Sequence, residues 1–475
     1  MSQPQRLHAL DAIFLPMETS IQSLHVGSVL ILEGRAPEPT VFREHVVAAV
    51  SRVPMLGRRA VRMPLDLGRP IWVDAPDVDL GDHVRHVTLR DPGDDGQLRA
   101  LVSEVMNRRL DPGRPLWELC QVDGLSGGRW AVIAKAHHTM VDGQSGSDLV
   151  AALLSDASSA TDATSATSAT GADSTALLAP RAEPHPAPSL GALIGDLLAW
   201  LVLLPVRTIR LLTRSALHPQ AARRRVRRLR FGLRQVLVPD LPPSVLTGPL
   251  GSQRIWGWTA ADLAPVVRAA RDAGATVNDV FLAALAGGCR RYLLDRGEPI
   301  DSIIVRAIVP VSTRTPEQPL RPGNLASAMF VVLPVDQAEP SARLATVAAR
   351  TAEQKARGVP AATAAVVRMA DHLPAVLLAR GARAYGRSGQ GRVNLVASNV
   401  RGPTTEQHLL GSRLIELVPW VPTAQEIRLS TAMVTCAGRM TIGITGDAAA
   451  LPDVDRLISA VEHELTDLVA ADHRS

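Results

Sequence analysis

The chain has 475 residues, 46% of them hydrophobic and 3% aromatic, and its formal net charge at pH 7 is +5. This length fits about three domains of ~150 residues and leaves ample aliphatic material for packed cores. Cys120, Cys289 and Cys436 are few and widely spaced, which excludes a disulfide framework and fits a reducing cytosol. The N-terminal residues lead into no apolar h-region, so we expect no signal peptide and a cytoplasmic protein.

Strand-like and helix-like patterns alternate over residues 1–155, which predicts an α/β fold. The expected elements, in chain order, are a strand over 26–33, a helix capped by Thr40, a helix over 97–110, strands over 116–123 and 129–138, and a helix over 148–154.

Residues 156–189 interrupt this pattern with a segment rich in Ala, Ser, Thr, Asp and Pro. Such a composition buries too little apolar surface to fold, so the segment is predicted to be a flexible, low-complexity linker.

Residues 190–238 combine an apolar run with a basic block. The run from Leu197 to Leu204 is shorter than the ~20 apolar residues that a membrane span needs. Ten arginines and no acidic residue follow between Arg207 and Arg234. This pattern favours a helix lying on an anionic membrane surface. The alternatives are an internal helix with a solvated arginine face and a nucleic-acid contact, for which no accompanying motif is present.

Regular elements are again predicted from 239 onward. They are a strand over 253–258, a helix over 260–272, a longer helix from Thr276 to near Gly297, strands over 302–311 and 325–335, helices within 340–380, strands near 393–399, 413–419, 428–435 and 439–446, and a helix after Pro452.

The stretch from Ala134 to Gly143 carries the clearest chemistry. Its apolar run ends in His137 and His138, and Asp142 and Gly143 follow. Side chains alternate faces along a strand, so the two imidazoles are predicted to point opposite ways. An imidazole titrates near neutral pH, which makes one of them a candidate general base. The competing use is a metal site. Opposite faces argue against one shared ion, and the sequence lacks His-Glu-x-x-His and Cys-x-x-Cys, so we expect no metal.

The pattern His-His-x-x-x-Asp-Gly resembles the signature of the CoA-dependent acyltransferase superfamily. Further blocks resemble the bacterial wax ester synthase/diacylglycerol acyltransferase family, in family order over roughly residues 7 to 465. These blocks are Leu10–Glu18, His25–Ser28, Pro115–Glu118, Thr276–Leu282, Val309–Ser312, Gly323–Asn324 and Ser398–Pro403. The resemblance is weakest over 155–250.

The resemblance implies two chloramphenicol-acetyltransferase-like domains, over 1–155 and 239–475, that form a pseudo-dimer with an active-site tunnel between them. It implies transfer of a long-chain acyl group from acyl-CoA to diacylglycerol, giving triacylglycerol, with a fatty alcohol as second acceptor, giving wax ester. Transfer would be direct, without an acyl-enzyme. Acyl-CoA is then a substrate, and no cofactor is expected.

Site roles follow from matching this chain to the superfamily motif. His138 would be the general base, with His137 packing or hydrogen-bonding in support. Asp142 either orients the base, caps the next helix or pairs with an arginine. The family favours a structural role for it. Gly143 would permit the tight turn after the strand.

Four further residues are candidates in the second half. Asn278 matches a family asparagine near the active centre, whereas Asp279 fits a capping box with Thr276. Ser398 and Asn399 would help form the tunnel or the oxyanion site, or serve turn chemistry. Arg401 replaces the usual proline of the family block and would meet a CoA phosphate or lie in solvent.

Two rival functions stay open. One is an acyltransferase acting on a polyketide, glycolipid or amine, which Arg401 and a second departure over 422–437 favour. The other is a non-enzymatic lipid-binding protein at the membrane surface, which the arginine block favours. Expected partners are long-chain acyl-CoA, a lipid alcohol, and the inner face of the plasma membrane or a lipid-droplet surface, without nucleic acid.

Overall fold

The computed structural model describes residues 6–75, 79–140, 145–156, 189–236, 241–242, 244–312, 326–387 and 392–470. Within these ranges the chain forms two halves, each built on a mixed sheet with helices packed against it, as the α/β prediction expects.

The first half is organised around a seven-stranded sheet. Its strands, in spatial order, are β4 (Val84–Thr88), β5 (Trp117–Leu125), β6 (Arg129–His137), β1 (His25–Glu33), β13 (Ser412–Trp420), β12 (Gln407–Leu409) and β7 (Ser155–Asp156). A separate pair is formed by β2 (Arg58–Val61) and β3 (Ile71–Asp74).

Strand β1 lies at the centre of this sheet, antiparallel to both β6 and β13. Leu30 and Leu32 belong to one apolar cluster, and Val29 and Ile31 belong to another. Both faces of the strand are therefore buried, which explains why its sequence reads as a continuous apolar run instead of alternating.

The second half is built on a six-stranded sheet. Its strands, in spatial order, are β10 (Ala326–Leu333), β9 (Val305–Ser312), β11 (Leu395–Arg401), β14 (Leu429–Cys436), β15 (Arg439–Asp447) and β8 (Arg254–Asp262). Strand β11 runs parallel to both of its neighbours, β9 and β14.

The helices cover the sheets and supply the rest of the cores. They are α1 (Ala9–Met17), α2 (Pro39–Arg52), α3 (Leu80–His83), α4 (Asp95–Asn107), α5 (Ser145–Leu153), α6 (Leu190–Leu217), α7 (Pro219–Val236), α8 (Leu263–Asp272), α9 (Val277–Leu294), α10 (Pro340–Ala356), α11 (Val359–Ala370), α12 (Ala375–Arg387) and α13 (Val454–Ala470). Helix α9 is apolar on nearly all sides and forms the centre of the second core.

The two halves are joined through β12 and β13, which lie late in the sequence but complete the first sheet. Strand β15 of the second sheet packs against β13, and Trp256 Nε1 donates a hydrogen bond to the carbonyl of Pro419 at 3.2 Å. Thr441 Oγ1 also donates to the carbonyl of Leu417. The division at 155 and 239 therefore describes chain order, while residues 407–420 physically belong to the first sheet.

Most predicted elements are present within two or three residues of their expected bounds, but one cap is wrong. Helix α2 begins at Pro39 with Glu38 before it, so Thr40 lies inside the first turn and is not the cap. Proline fits the first helical position because its missing N–H would have no partner there. The predicted linker lies mostly outside the described residues, and Ser155 and Asp156 pair with β12.

Helices α6 and α7 occupy the basic segment. Leu193 of α6 is buried against Met63 and Ile71. Helix α7 packs on α11, where a Cβ added to Gly232 would lie 2.4 Å from the carbonyl oxygen of Ala362. Packing against the rest of the protein, the alternative to membrane contact, is therefore observed at the start of α6 and near the end of α7. Of the helices in the described ranges, none is both long and apolar enough to cross a membrane.

Candidate active site

The histidine pair sits where the central sheet ends. Strand β6 stops at His137, and His138 opens a turn that continues to Met140. The backbone N–H of His138 donates to the carbonyl of Leu24 at 2.8 Å, and that of Met140 donates to the carbonyl of His137 at 2.9 Å. The turn is thereby tied to the residue preceding β1.

His137 faces a buried polar group inside the first half. Its ring lies edge-on to His25 at a centroid separation of 6.1 Å, and its Nε2 lies 3.8 Å from Glu18 Oε2. Its Nδ1 accepts a hydrogen bond from the backbone N–H of Thr139 at 3.1 Å. Burial lowers the pKa of His137 to about 3, and the charge of His138 adds to the shift. The neutral ring therefore carries its hydrogen on Nε2, which lies near Glu18 but forms no hydrogen bond with a described residue.

The other members of this group hold Glu18 and His25 in place. Arg109 Nη2 lies 3.2 Å from Glu18 Oε2, and His25 Nε2 lies 3.6 Å from Glu18 Oε1. His25 Nδ1 donates to the carbonyl of Met106 at 3.2 Å. Burial, reinforced by the charge of Lys135, lowers the pKa of His25 to about 2, so this ring is also neutral.

Lys135 is fully buried two residues before the pair. Its Nζ donates to the carbonyls of Val105, at 2.7 Å, and of Arg108. Burial lowers its pKa to about 8, and Glu118, 3.9 Å away, opposes that shift. Lys135 thus fastens the end of α4, and the residues up to Arg109 that follow it, to strand β6.

His138 has different surroundings from its neighbour. Its ring lies against Phe14 of α1, with centroids 4.0 Å apart and planes inclined by 30°. Its Nδ1 is buried and has no hydrogen-bond partner among the described residues. The side chain as a whole is only half-buried. Burial lowers the pKa of His138, an effect that its own backbone only partly offsets, so the ring is neutral at neutral pH.

Only one of the two imidazoles has a nitrogen lone pair to offer. The lone pair of His137 is occupied by the N–H of Thr139, whereas His138 accepts no hydrogen bond from any described residue. A general base needs an available lone pair. The geometry therefore favours His138 over His137 for proton transfer.

Asp142 and Gly143 lie outside the described residues, so the roles assigned to them stay predictions.

The candidates of the second half form a separate group where α9 begins and β11 ends. Asn399 Nδ2 donates to Asn278 Oδ1 at 3.2 Å. The capping box is confirmed: Thr276 and Asp279 bond reciprocally, and Asp279 also accepts from Thr351 at 2.7 Å. Because Asp279 is fully engaged in this way, Asn278 carries the polar group available for a substrate.

Ser398 and Arg401 take opposite faces of β11 by strand parity. Ser398 shares its face with Val400, which packs against the apolar cluster that contains Met140 of the histidine turn. Arg401 is exposed. Among the described residues no hydrogen bond, ion pair or ring contact joins His138 to Asn278 or Asn399.

Residues 422–437, which depart from the family pattern, contact the loop that precedes β1. The N–H of Gln425 donates to Gln22 Oε1 at 2.8 Å. Arg254 Nε donates to Thr423, and Arg254 Nη2 donates to the carbonyl of Ile21 at 3.1 Å. These departures therefore lie next to the loop whose Leu24 carbonyl binds the His138 backbone.

Sequence reasoning assigned no role to Phe14, Glu18, His25 or Arg109. Three of them lie in the quoted blocks Leu10–Glu18 and His25–Ser28. Their spacing carries no local signal, because the contacts to the histidine pair span more than a hundred residues of chain. Across the described ranges, no group of three or more His, Cys, Asp or Glu side chains could hold a metal ion.

Comparison with known proteins assigns the chain to a family. Residues 7–281 match the wax ester synthase/diacylglycerol acyltransferase catalytic domain, and residues 322–469 match the WS/DGAT C-terminal domain. The chain belongs to the WS/DGAT family. This membership confirms the predicted family and the acyltransferase class.

Among its WS/DGAT relatives is a probable diacylglycerol O-acyltransferase, tgs1, of Mycobacterium tuberculosis (strain ATCC 25618 / H37Rv). It is 32% identical over 472 residues, covering 98% of this chain and 96% of the relative. A putative diacylglycerol O-acyltransferase, Rv3087, of the same strain is 31% identical over 491 residues, covering 98% of this chain and 97% of the relative.

Solved structures share the fold. The wax ester synthase/diacylglycerol acyltransferase from Marinobacter aquaeolei VT8 matches with a TM-score of 0.66 at 22% identity, covering 98% of this chain and 99% of that one. The first condensation domain of the calcium-dependent antibiotic synthetase matches with a TM-score of 0.59 at 15% identity, covering 98% and 96%. These matches confirm the predicted two-part α/β fold.

Proposed function

We propose that this WS/DGAT protein transfers a long-chain acyl group from acyl-CoA to diacylglycerol, with His138 as general base. The observation that carries the proposal is a neutral, half-buried imidazole with no competing hydrogen bond from the described residues, placed at the end of a rigid sheet. The names of the relatives support the choice of diacylglycerol as acceptor. A fatty alcohol, giving wax ester, is the second acceptor, since the family description covers both activities.

The proposed reaction is a direct transfer. His138 takes the proton of the acceptor hydroxyl while that oxygen attacks the thioester carbonyl carbon. The resulting oxyanion collapses, the C–S bond breaks, and the imidazolium returns its proton to the leaving CoA thiolate. Ester and free CoA form without an acyl-enzyme. General base help of this kind contributes typically ~10²–10⁴-fold in rate.

The polar residues at the start of α9 and the end of β11 would act on the thioester carbonyl and on CoA. Asn278 lies in the first turn of α9, where an amide donor suits a developing negative charge. Asn399, bonded to Asn278, would line that site, and Ser398, on the opposite face of β11, would help form the tunnel. Arg401, exposed at the end of β11, would meet a CoA phosphate.

An acceptor panel tests this assignment. Purified protein is incubated with labelled palmitoyl-CoA and equal amounts of dioleoylglycerol, hexadecanol, a short alcohol and hexadecylamine, and the labelled products are separated. We expect triacylglycerol as the main product and wax ester as the minor one. A product that is mainly amide would move the function to the rival acceptor class. Lipid binding without release of CoA would instead favour the non-enzymatic alternative.

We further propose that α6 and α7 hold the protein on an anionic lipid surface at the inner face of the plasma membrane or on lipid droplets. Along α6, exposed apolar side chains recur at helical spacing, with Leu198 at 55%, Val202 at 72% and Ile209 at 59% exposure. Six exposed arginines follow on α7: Arg223, Arg224, Arg225, Arg227, Arg228 and Arg230. An apolar stripe beside a dense positive charge suits anionic headgroups.

Vesicle co-flotation of the full chain tests the docking surface. Binding is expected with vesicles that contain phosphatidylglycerol and should weaken with salt and with pure phosphatidylcholine. At roughly 1 kcal/mol per arginine, R224Q/R227Q/R228Q should bind on the order of a hundredfold more weakly. The L198Q/V202Q variant should also bind the vesicles more weakly, because two exposed apolar side chains of α6 are replaced by polar ones. The control is L294Q, since Leu294 is exposed outside these helices. Equal loss in L294Q, or unchanged binding in both multiple variants, would contradict the proposal.

A further inference from the structure

Helix α1 touches the histidine turn at two points. Phe14 lies on the His138 ring, and Thr139 Oγ1 donates to the carbonyl of Asp11 at 3.2 Å. Helix α1 supplies a side chain at the first point and a backbone carbonyl at the second, and both lie more than a hundred residues from the turn in the chain. Motion of this helix would therefore be transmitted directly to His138.

The helix itself is fixed from both halves of the molecule. The N–H of Ala9 donates to Asp371 Oδ1 of the second half at 2.9 Å. The N–H of Leu7 donates to the carbonyl of Pro70 at 2.9 Å. At the other end, Glu18 pairs with Arg109 of the first half. Phe14 is thus presented by a helix that is held at its start and just beyond its end.

Among the described residues, no polar side chain orients the His138 ring as a carboxylate usually orients a catalytic imidazole. In a Ser-His-Asp arrangement, a carboxylate bonded to Nδ1 sets the ring. Here Nδ1 has no hydrogen-bond partner among the described residues, and the ring contact is with Phe14. Packing against a flat aromatic face restricts the rotation of the imidazole and keeps water from that side of it.

We infer that Phe14 is a positioning residue for acyl transfer, which orients the His138 imidazole and shields it from water through ring contact. The inference rests on the proposed role of His138 as base. Misplacing a reacting group by about 1 Å costs on the order of 10²-fold in rate. We therefore expect F14A to lower kcat by about 10–100-fold with little change in KM.

The pH profile distinguishes positioning from general stability. The base works in its neutral form, so activity is lost as pH falls through the pKa of His138. Burial holds that pKa below its ordinary value. When the Phe14 ring is removed, water reaches His138, its pKa rises, and the acidic limb of kcat/KM moves to higher pH. Titratable and charged groups on the elements around this ring are Asp11, Glu18, His25, Arg109, Lys135 and His137.

The experiment compares F14A, F14L and L15A with the parent protein. F14L fills the space without a flat ring and keeps the test valid if F14A folds poorly. L15A trims the next residue of the same helix, which packs on the apolar core, and should leave the limb in place. The pKa of His138 is measured independently by NMR titration of ring-labelled histidine, assigned with H138A.

A raised NMR pKa together with a shifted acidic limb, largest in F14A, smaller in F14L and absent in L15A, supports the inference. An unchanged NMR pKa and an unmoved limb overturn it and leave His138 as the base. A raised NMR pKa with an unmoved limb overturns His138 as the base, and with it the role of Phe14 in the reaction.

Discussion

Replacing His138 by alanine is expected to lower kcat/KM by about 10²–10⁴-fold while leaving the fold intact. The loss follows because the neighbouring imidazole cannot replace it: the Nδ1 lone pair of His137 already accepts the N–H of Thr139. Stability should change little, because His138 Nδ1 forms no hydrogen bond with the described residues and none is lost with the ring. The measurement is CoA release from palmitoyl-CoA with diacylglycerol present, together with the melting temperature.

His137→Ala serves as the matched comparison. Its loss strands the buried N–H of Thr139 and removes the group that faces Glu18, which should cost about 1–3 kcal/mol of unfolding free energy. H138A should thus be inactive and stable, and H137A less stable. Parent-level CoA release by H138A would remove the proposed mechanism. A drop in the melting temperature of H138A as large as that of H137A would show that the ring has a structural role.

Local sequence patterns correctly predicted those elements whose formation depends on neighbouring residues. The runs that became β1 and β6 are continuous and apolar because both faces of those strands are buried. The Thr276–Asp279 box was predictable because both partners lie within one helical turn. In each case the pattern that carried the prediction lay within a few consecutive residues.

Long-range contacts could not be predicted in this way. Phe14 meets His138, and Glu18 meets Arg109, across large gaps in the chain. Residues 407–420 join the first sheet although the chain has by then built most of the second. Strand parity predicted different environments for His137 and His138. However, His138 lies in the turn after β6, so its contacts do not follow from the strand pattern. These arrangements depend on tertiary packing, which no spacing pattern encodes.

The seam between the two halves, where β15 packs against β13, depends on the absence of a side chain at Gly443. This residue lies in β15, where the second sheet crosses β13 of the first. A Cβ built there would lie 1.9 Å from the carbonyl oxygen of Pro419, which also accepts the hydrogen bond from Trp256. The Pro419 oxygen belongs to the backbone and is not the movable end of a side chain, so the strands themselves must separate. That seam brings the second half against the sheet that carries the histidine pair.

We therefore expect Gly443→Ala to destabilise the protein by about 1–3 kcal/mol or more, the usual cost of overpacking a core. Thermal and urea unfolding measure this effect. The control is Gly381→Ala in helix α12, where no atom lies within 4 Å of the new Cβ. There alanine should be neutral or stabilising by up to ~1 kcal/mol, since it is the better helix former. If both variants unfold like the parent protein, β15 does not approach β13 as closely as described. If only G443A loses stability, and acyl transfer falls with it below the melting transition, the seam also sets the alignment of the two site groups.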